Sequence, residues 1–381
     1  MSINGGFVMT KGLFPLGGPV AKEDLVGREQ FIVSLVNRLS EGQSVMLAGP
    51  RRIGKTSLAH EVLRRMKNKG AYTAAVDFFR FSGKRDFAAS LIDACLENRT
   101  GINKTLNVLR DRAKAMAGGA QFAIKLKDLE ISFGFPDKKS DDELLDYALK
   151  LPGILADRDE KVMVVMFDEF QEASRVTDPE IFKRMRAHFQ TQKGVAYLFL
   201  GSKEGMMQTL FGGRKEAFYR FAIMLPIPII AEDDWIPYIT QKFASRNIQT
   251  DAEVVKEIIQ FSGGHPQDTM FLCSEVYYTL LETGNNVLTR DYVRLGYNRA
   301  MLALAPIFDE MLDDLSTRPQ VRRVLYQLAA GENVYQEGIH PNKIKRAVDH
   351  LISRAVIEKT ARGSYVFVEP MFQQYILQQF Q

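Results

Sequence analysis

Apolar residues recur along this chain with two different periods, and the change between them divides it. In the first half, short unbroken apolar runs alternate with stretches of helical spacing. Phe31, Ile32, Leu35, Val36 and Leu39 repeat at helical intervals after Leu25-Val26-Gly27-Arg28-Glu29 and predict a helix ending near Gly42. The run Ser44 to Ala48 is short and apolar enough for a buried strand, after which Leu58, Val62, Leu63 and Met66 fall on one helical face. Further strands are expected at Tyr72 to Val76, Val162 to Phe167, Ala196 to Leu200 and Ala222 to Ile230, with a helix from about Asp86 to Leu96 and other helical stretches between. Strand and helix in alternation predict an α/β core, a mainly parallel sheet covered by helices on both faces in three layers. Such a core takes its ligand beyond the C-terminal ends of the strands.

Two segments break the alternation. Between Asn103 and Phe135, Leu106, Leu109, Ala113 and Met116 predict a helix, and the runs Phe122-Ile124-Leu126 and Leu129-Ile131-Phe133 around Lys127-Asp128 predict a hairpin. Such an insertion either covers an edge strand or docks a partner. Beyond Ile230 the strands stop, and helices are expected at Asp233 to Phe243, Ala252 to Phe261, Pro266 to Leu281 and Thr289 to Leu312. Val321 to Ala330, Asn342 to Arg354, and then the alternating runs Val356 to Lys359 and Ser364 to Val368 around Arg362-Gly363 follow the order helix, helix, β-wing of a winged helix. The expected organisation is a core over 1–231 with its insertion at about 103–135, a helical lid over 232–286, and a helical linker with winged helix over 287–381. Residues 1 to 22 lack periodicity and read as an irregular arm.

Composition narrows this picture little. A chain of 381 residues exceeds what one core usually organises. The net charge of +4, from 50 basic and 46 acidic residues, is too balanced to argue for nucleic acid by itself and leaves room only for a local basic face. Cys95 and Cys273 both fall inside apolar helical patterns, which excludes a disulfide scaffold and a cysteine-rich metal site and points to a reducing interior. No run approaches eighteen apolar residues and the first residues show no charged start before an apolar core, so a cytoplasmic protein without membrane association is expected.

The chemistry is carried by Gly49-Pro50-Arg51-Arg52-Ile53-Gly54-Lys55-Thr56, a complete phosphate-binding loop between the first strand and its helix. Glycines let backbone N–H groups curl round a phosphate, Lys55 reaches the outer oxygens and the Thr56 hydroxyl ligates Mg²⁺. Hydrolysis further needs a metal-holding acid and a group that orients water. The apolar run from Val162 ends in Asp168-Glu169, which places Asp168 to hold Mg²⁺ and Glu169 to orient or deprotonate the attacking water. Ser202, with Lys203 in reserve, follows the next strand and either senses the γ-phosphate or caps a helix. Arg214 and Arg220 precede the last core strand, where each either stabilises phosphoryl charge, in its own chain or a neighbour's, or sits in a solvated loop. Gly263-Gly264-His265-Pro266 closes one helix and opens another, with Pro266 suited to a first helical position and His265 best read as structural.

As a set, Val26-Gly27-Arg28-Glu29, the loop Gly49 to Thr56 with Ser57, Asp168-Glu169-Phe170-Gln171-Glu172, Phe218-Tyr219-Arg220 and Gly264-His265-Pro266 resemble the archaeal-type ATPases. These belong to the signal-transduction ATPases with numerous domains, a branch of the AAA+ group of P-loop NTPases. The resemblance covers nearly the whole chain, including the insertion and the winged helix. It implies that Val26, Gly27 and Arg28 lie beside the adenine, that Arg220 corresponds to the family's arginine before the last core strand, and that Gly264-His265-Pro266 marks the lid. The family often has Tyr-Gly-Arg where this chain has Phe218-Tyr219-Arg220, a departure at that position.

The leading expectation is therefore an Mg²⁺-dependent ATPase working as a switch, with ATP and Mg²⁺ as cofactors. A second reading is an ATP-controlled DNA-binding regulator. In it Asn342 to Arg354 is the recognition helix, and Lys343, Lys345, Arg346, Arg354, Lys359 and Arg362 meet phosphates among the diluting acids Asp349, Glu358 and Glu369. A third is a partner-controlled module that docks through the inserted hairpin. No base-reading motif fixes ATP over GTP, and self-association stays open.

Overall fold

The computed structural model describes residues 12–98, 124–126, 129–131, 140–202, 204–316, 319–335, 340–361 and 363–379. The first half runs α1 (Glu29–Ser40), β1 (Val45–Ala48), α2 (Lys55–Asn68), β2 (Tyr72–Asp77) and α3 (Lys84–Leu96). After the hairpin strands β3 (Ile124–Leu126) and β4 (Leu129–Ile131) come α4 (Asp141–Asp159), β5 (Met163–Asp168), α5 (Ala173–Val176), α6 (Ile181–Phe189), β6 (Val195–Leu200), α7 (Glu204–Gly212) and β7 (Ile223–Pro226). Five of these strands pair in the order β2-β5-β6-β1-β7, and every pairing is parallel.

The two-faced burial of this sheet follows from the strand sequences. Side chains along a strand alternate between faces, so a doubly covered strand needs apolar residues at every position. In β5, Val164 and Met166 join the apolar cluster made with α1 and α2, whereas Val165 and Phe167 join the cluster made with α3, α4, α6 and α7. Strand β6 divides in the same way, with Leu198 and Leu200 on the first face and Tyr197 and Phe199 on the second. Phe167 stacks between neighbours there, its ring centroid 5.7 Å from Phe189, 6.0 Å from Tyr197 and 5.9 Å from Phe199. This packing holds β5 in place at Phe167, the residue immediately before Asp168.

The last core strand is shorter than the apolar run suggests. It covers Ile223–Pro226 rather than Ala222 to Ile230, because Pro226 and Pro228 lack the N–H that a ladder requires. One further bond, from Ile227 N to Ala48 O at 2.8 Å, carries the chain past the loop before it turns away. The hairpin strands are antiparallel, with Ile124 opposite Ile131 and Leu126 opposite Leu129. The helix expected over Leu106 to Met116, and Phe122 and Phe133, lie outside the described residues.

The second half is helical, as its spacing predicts: α8 (Glu232–Ala244), α9 (Ala252–Ser262), α10 (Pro266–Thr283) and α11 (Arg290–Ser316). Then α12 (Pro319–Ala329), α13 (Pro341–Ser353) and an antiparallel pair, β8 (Ile357–Ala361) and β9 (Ser364–Phe367), follow in the expected order. A closing helix, α14 (Pro370–Gln379), was not anticipated, although Met371, Phe372, Tyr375 and Ile376 carry helical spacing and are all buried. One apolar cluster runs through the whole half, from Leu13 and Phe14 of the arm and Trp235 of α8 to Leu351 of α13 and Ile376 of α14. No helix among the described residues is long and apolar enough to cross a membrane.

Within that cluster α10 and α11 approach closely at Gly296, where a Cβ would stand 2.8 Å from the Cα of Val276 and 2.9 Å from its backbone nitrogen. Backbone cannot yield as a side chain can. Gly296→Ala should therefore force the two helices apart and lower stability by about 1–3 kcal/mol, a typical cost of overpacking. Urea unfolding monitored by circular dichroism checks this, and an unchanged midpoint would contradict it.

Candidate functional site

The parallel sheet brings the ends of β1, β5 and β6 to one edge, and β6 lies between the other two. The segments that leave these ends line a cleft of about 730 Å³. After β1 the chain coils into the phosphate-binding loop, with Arg52 at φ 67° and Gly54 at φ 93° in the left-handed region, a conformation that glycine adopts freely. Gly54 then caps α2, whose N-terminus faces the cleft through Lys55, Thr56 and Ser57. Lys55 is buried, and its Nζ donates to the loop's own carbonyls at Gly49, 2.8 Å, and Pro50, 2.5 Å. Backbone amides at a helix N-terminus and a positive side chain folded across the loop form a cradle for anionic oxygen. Ser57 lines the cleft but its hydroxyl accepts the Val20 amide at 3.0 Å, so it also anchors the arm.

Asp168 ends β5 with its Oδ2 accepting the Thr56 hydroxyl at 2.8 Å and its Oδ1 accepting the Glu169 amide at 2.9 Å. The two residues chosen for metal thus meet directly. Burial, the largest influence, pushes the Asp168 carboxyl above its ordinary pKa; those two hydrogen bonds pull it down, and the charges of Glu169 and Asp77 push it up. Glu169 follows in the left-handed region at φ 50°, a conformation that costs a non-glycine residue on the order of 1–3 kcal/mol. Its Oε2 accepts from Ser202 Oγ at 2.7 Å, Ser202 N at 3.3 Å and Gln171 Nε2 at 2.5 Å. Ser202 is therefore placed between the loop and the acid pair, as a residue leaving the strand between them must be. Lys203 lies outside the described residues.

Of the remaining sequence-selected residues, Val26, Arg28 and Pro266 also line the cleft, and so do Arg51, Arg52 and Ile53. Arg28 is buried and its Nη1 donates to the Pro228 carbonyl in the connection after β7. Desolvation lowers its pKa to about 10, against the attraction of Asp234, so it remains a cation at neutral pH. Gly27, at φ 64°, serves packing: a Cβ there would stand 2.6 Å from the Asp234 carboxylate of α8. Arg52 reaches across to the segment joining β9 to α14, where Nη1 pairs with Glu369 Oε1 at 2.9 Å.

Arg220 is not brought to this cleft. It lies, exposed and at φ 53°, with Ser44, Val195 and Ile223, at the N-terminal ends of β1, β6 and β7, the edge of the sheet opposite the loop. The expectation that it acts within its own chain fails on this geometry, since the whole length of the strands separates it from Lys55. Arg214 is likewise exposed. His265 caps α10, is 6% exposed and stays out of the cleft wall, its Nδ1 3.6 Å from Asp268, which accords with a structural role.

Several residues of the site were missed. The arm stretch Pro15 to Val20 forms part of the cleft wall, yet a segment without periodicity offers no pattern from which this could be read. Asp77 stands opposite Asp168 in the strand register and also lines the cleft, and an acid ending an apolar strand was a usable signal. Gln171 carries no signal of its own in the sequence beyond its place in Asp168-Glu169-Phe170-Gln171-Glu172.

No protein-family model and no curated protein matches this chain. Among solved structures, it is similar to the Walker-type ATPase of Pyrococcus abyssi, at 17% identity over 96% of this chain and 99% of that one, with a TM-score of 0.68. It is also similar to the Aeropyrum pernix ORC2 protein in ADPNP–ADP complexes, at 12% identity over 97% of this chain and 98% of that one, with a TM-score of 0.55. At such identities the likeness is one of fold, and the fold is that of the P-loop α/β proteins with a helical C-terminal region.

The raised pKa of Asp168 has a consequence for stability. The folded chain binds this proton more tightly than the unfolded chain, so the buried carboxylate costs stability above the raised pKa, and the cost vanishes as pH falls past the ordinary value of 3.8. Relative to Asp168→Asn, the wild type should gain thermal stability as pH is lowered from 7 to about 4. Melting curves of both proteins across that range check it; a constant difference would contradict the assignment.

Proposed function

We propose that this protein is an Mg²⁺-dependent ATPase that works as a molecular switch of the archaeal-type ATPase class. The hydrogen bond of 2.8 Å between Thr56 Oγ1 and Asp168 Oδ2, at the mouth of a phosphate loop, carries the reading. It unites the two oxygens that nucleotide chemistry assigns to the metal. A neutral hydroxyl and a carboxylate are hard donors that suit Mg²⁺, and the desolvated Asp168 is a group whose burial a cation would relieve. Bound there, Mg²⁺ would neutralise charge on the phosphate oxygens.

The chain's own residues supply the rest. The N–H groups of the loop from Gly49 to Ser57, Pro50 having none, and the Lys55 side chain hold the phosphates, Val26 and Arg28 lie towards the base, and Pro266 brings the lid to the nucleotide. Glu169 takes the attacking water, and Ser202 ties that carboxylate to the strand end nearest the loop. Arg220, at the opposite edge, can reach a phosphate only in a neighbouring copy, which makes self-association part of this reading. The Arg52–Glu369 pair supports the switch, because it joins the nucleotide loop to the C-terminal segment, read as a winged helix at the end of residues 287–381. The ORC2 structure was obtained with ADPNP and ADP, in accord with a nucleotide here.

A second reading, DNA binding through α13, has one observation of its own. Lys343, Lys345 and Arg346 are exposed on that helix, and no ion pair engages them among the described residues. Arg354 is less free, since it pairs with Asp314 at 3.0 Å, and Arg362 lies outside the described residues.

Three outcomes are expected with purified protein. Lys55→Ala abolishes hydrolysis by abolishing nucleotide binding. Glu169→Gln lowers the turnover number by about 100-fold or more while binding persists, the usual size of a lost general base. Full turnover after the Glu169 change would refute the role given to that carboxylate. For DNA, a mobility-shift series on random duplex should show affinity that falls steeply with salt and weakens in Lys345→Ala, and no retardation at low salt would remove the second reading.

A further inference from the structure

Gln171 stands two residues after Glu169, 2% exposed and outside the cleft wall. Its Nε2 donates to Glu169 Oε2 at 2.5 Å and to Ser202 Oγ at 3.4 Å, while Ser202 donates to the same Glu169 oxygen through Oγ at 2.7 Å and N at 3.3 Å. Residues from two strand ends thus close a triangle around one oxygen of the carboxylate. A carboxylate can only accept, so it dictates which end of the amide faces it. The Gln171 Oε1 is turned away, buried and without a hydrogen-bond partner among the described residues. An unmet buried carbonyl is costly, and a side chain serving packing alone would be better replaced by an apolar one. The surroundings are also shaped for this orientation: a Cβ on Gly201 would stand 2.3 Å from Gln171 Oε1, so only glycine lets the amide lie there.

We propose that Gln171 is a positioning residue for nucleotide hydrolysis. It clamps Glu169 Oε2 against Ser202 and so leaves Oε1 of Glu169 to the attacking water. The backbone of Glu169 already sits in the left-handed region, and its side chain would otherwise have several rotamers open beside the phosphate site. Held at one oxygen by two side chains and an amide, it keeps the orientation that in-line attack requires. Gln171 touches neither nucleotide nor water in this scheme and acts only through Glu169. The inference rests on the ATPase reading above.

The test compares wild type, Gln171→Met, Ser202→Ala and the double variant. Affinity is measured with a non-hydrolysable ATP analogue at equilibrium, and chemistry as single-turnover hydrolysis of ATP with Mg²⁺. Methionine keeps the length of glutamine and removes its donor. Gln171→Met should slow the single turnover by about tenfold or more, leave analogue affinity within about twofold, and add little to the loss in Ser202→Ala, because both groups hold the same oxygen. A rate within about twofold of wild type, a faster variant, an equal loss of affinity, or multiplicative losses in the double variant would each overturn the proposal. Should Gln171→Met not fold, Gln171→Asn, whose shorter amide falls short of Glu169, is judged by the same outcomes. Wild type lacking hydrolysis that depends on Lys55 overturns the ATPase reading and this inference together; a hydrolysing wild type with an unaffected Gln171→Met overturns this inference alone.

Discussion

A carboxylate held out of water at the end of an apolar strand is the constraint around which this core is arranged. From Met163 to Phe167, β5 offers only apolar side chains, and both faces of the strand are covered, so its first polar residue must appear at the sheet edge. Asp168 appears there and carries the desolvation cost that its raised pKa records. Two hydrogen bonds offset part of that cost, and each fixes something else. The bond from Thr56 sets the start of α2 against the end of β5, and with it the phosphate loop; the bond from the Glu169 amide stabilises the left-handed turn that follows. Phe167, stacked among Phe189, Tyr197 and Phe199, prevents the strand end from drifting. Loop, acid pair and Ser202 therefore form one rigid unit on the sheet, which is what phosphoryl chemistry asks of a site that works by positioning.

The helical half meets this unit at a few points of contrasting strength. Its own core is continuous from the arm to α14, so α8 to α10 and the C-terminal segment share apolar packing. Against the loop it makes the Arg52–Glu369 pair, partly exposed on the arginine side, where such pairs contribute little to stability. Nearby, the Met371 amide donates to the buried Asp268 of α10 at 3.2 Å, which joins α14 to α10. Strong internal packing beside a weak contact with the nucleotide loop is the arrangement that a proposed switch needs. The contact that reports on the loop is cheap to break.

Much of this was legible in the chain. The phosphate loop, the acid pair and the strand carrying Ser202 were found because each depends on local pattern: a glycine spacing, an apolar run ended by acids, a strand followed by a turn. The shortened β7 was a matter of weighting, since hydrophobicity continues to Ile230 while two prolines end the ladder. Helix α14 is hidden for the opposite reason, as its helical spacing follows a strand pattern with only Val368 and Glu369 between them. The wall contributed by Pro15 to Val20 had no signal at all, because irregular backbone is placed by what it packs against.

By itself the sequence determined which elements form and which residue types end them, since periodicity, turn chemistry and the phosphate loop act over a few residues. The tertiary structure alone decided what meets across the strand order. Thr56 and Asp168 are neighbours, and Gln171 and Ser202 share one oxygen of Glu169, because β6 lies between β1 and β5. Arg220, three residues before a core strand and in reach of every motif on paper, stands at the far edge because it precedes that edge strand rather than following it. Direction along a parallel sheet is a property of the assembled strands, and no local pattern encodes which of its two edges a residue will occupy.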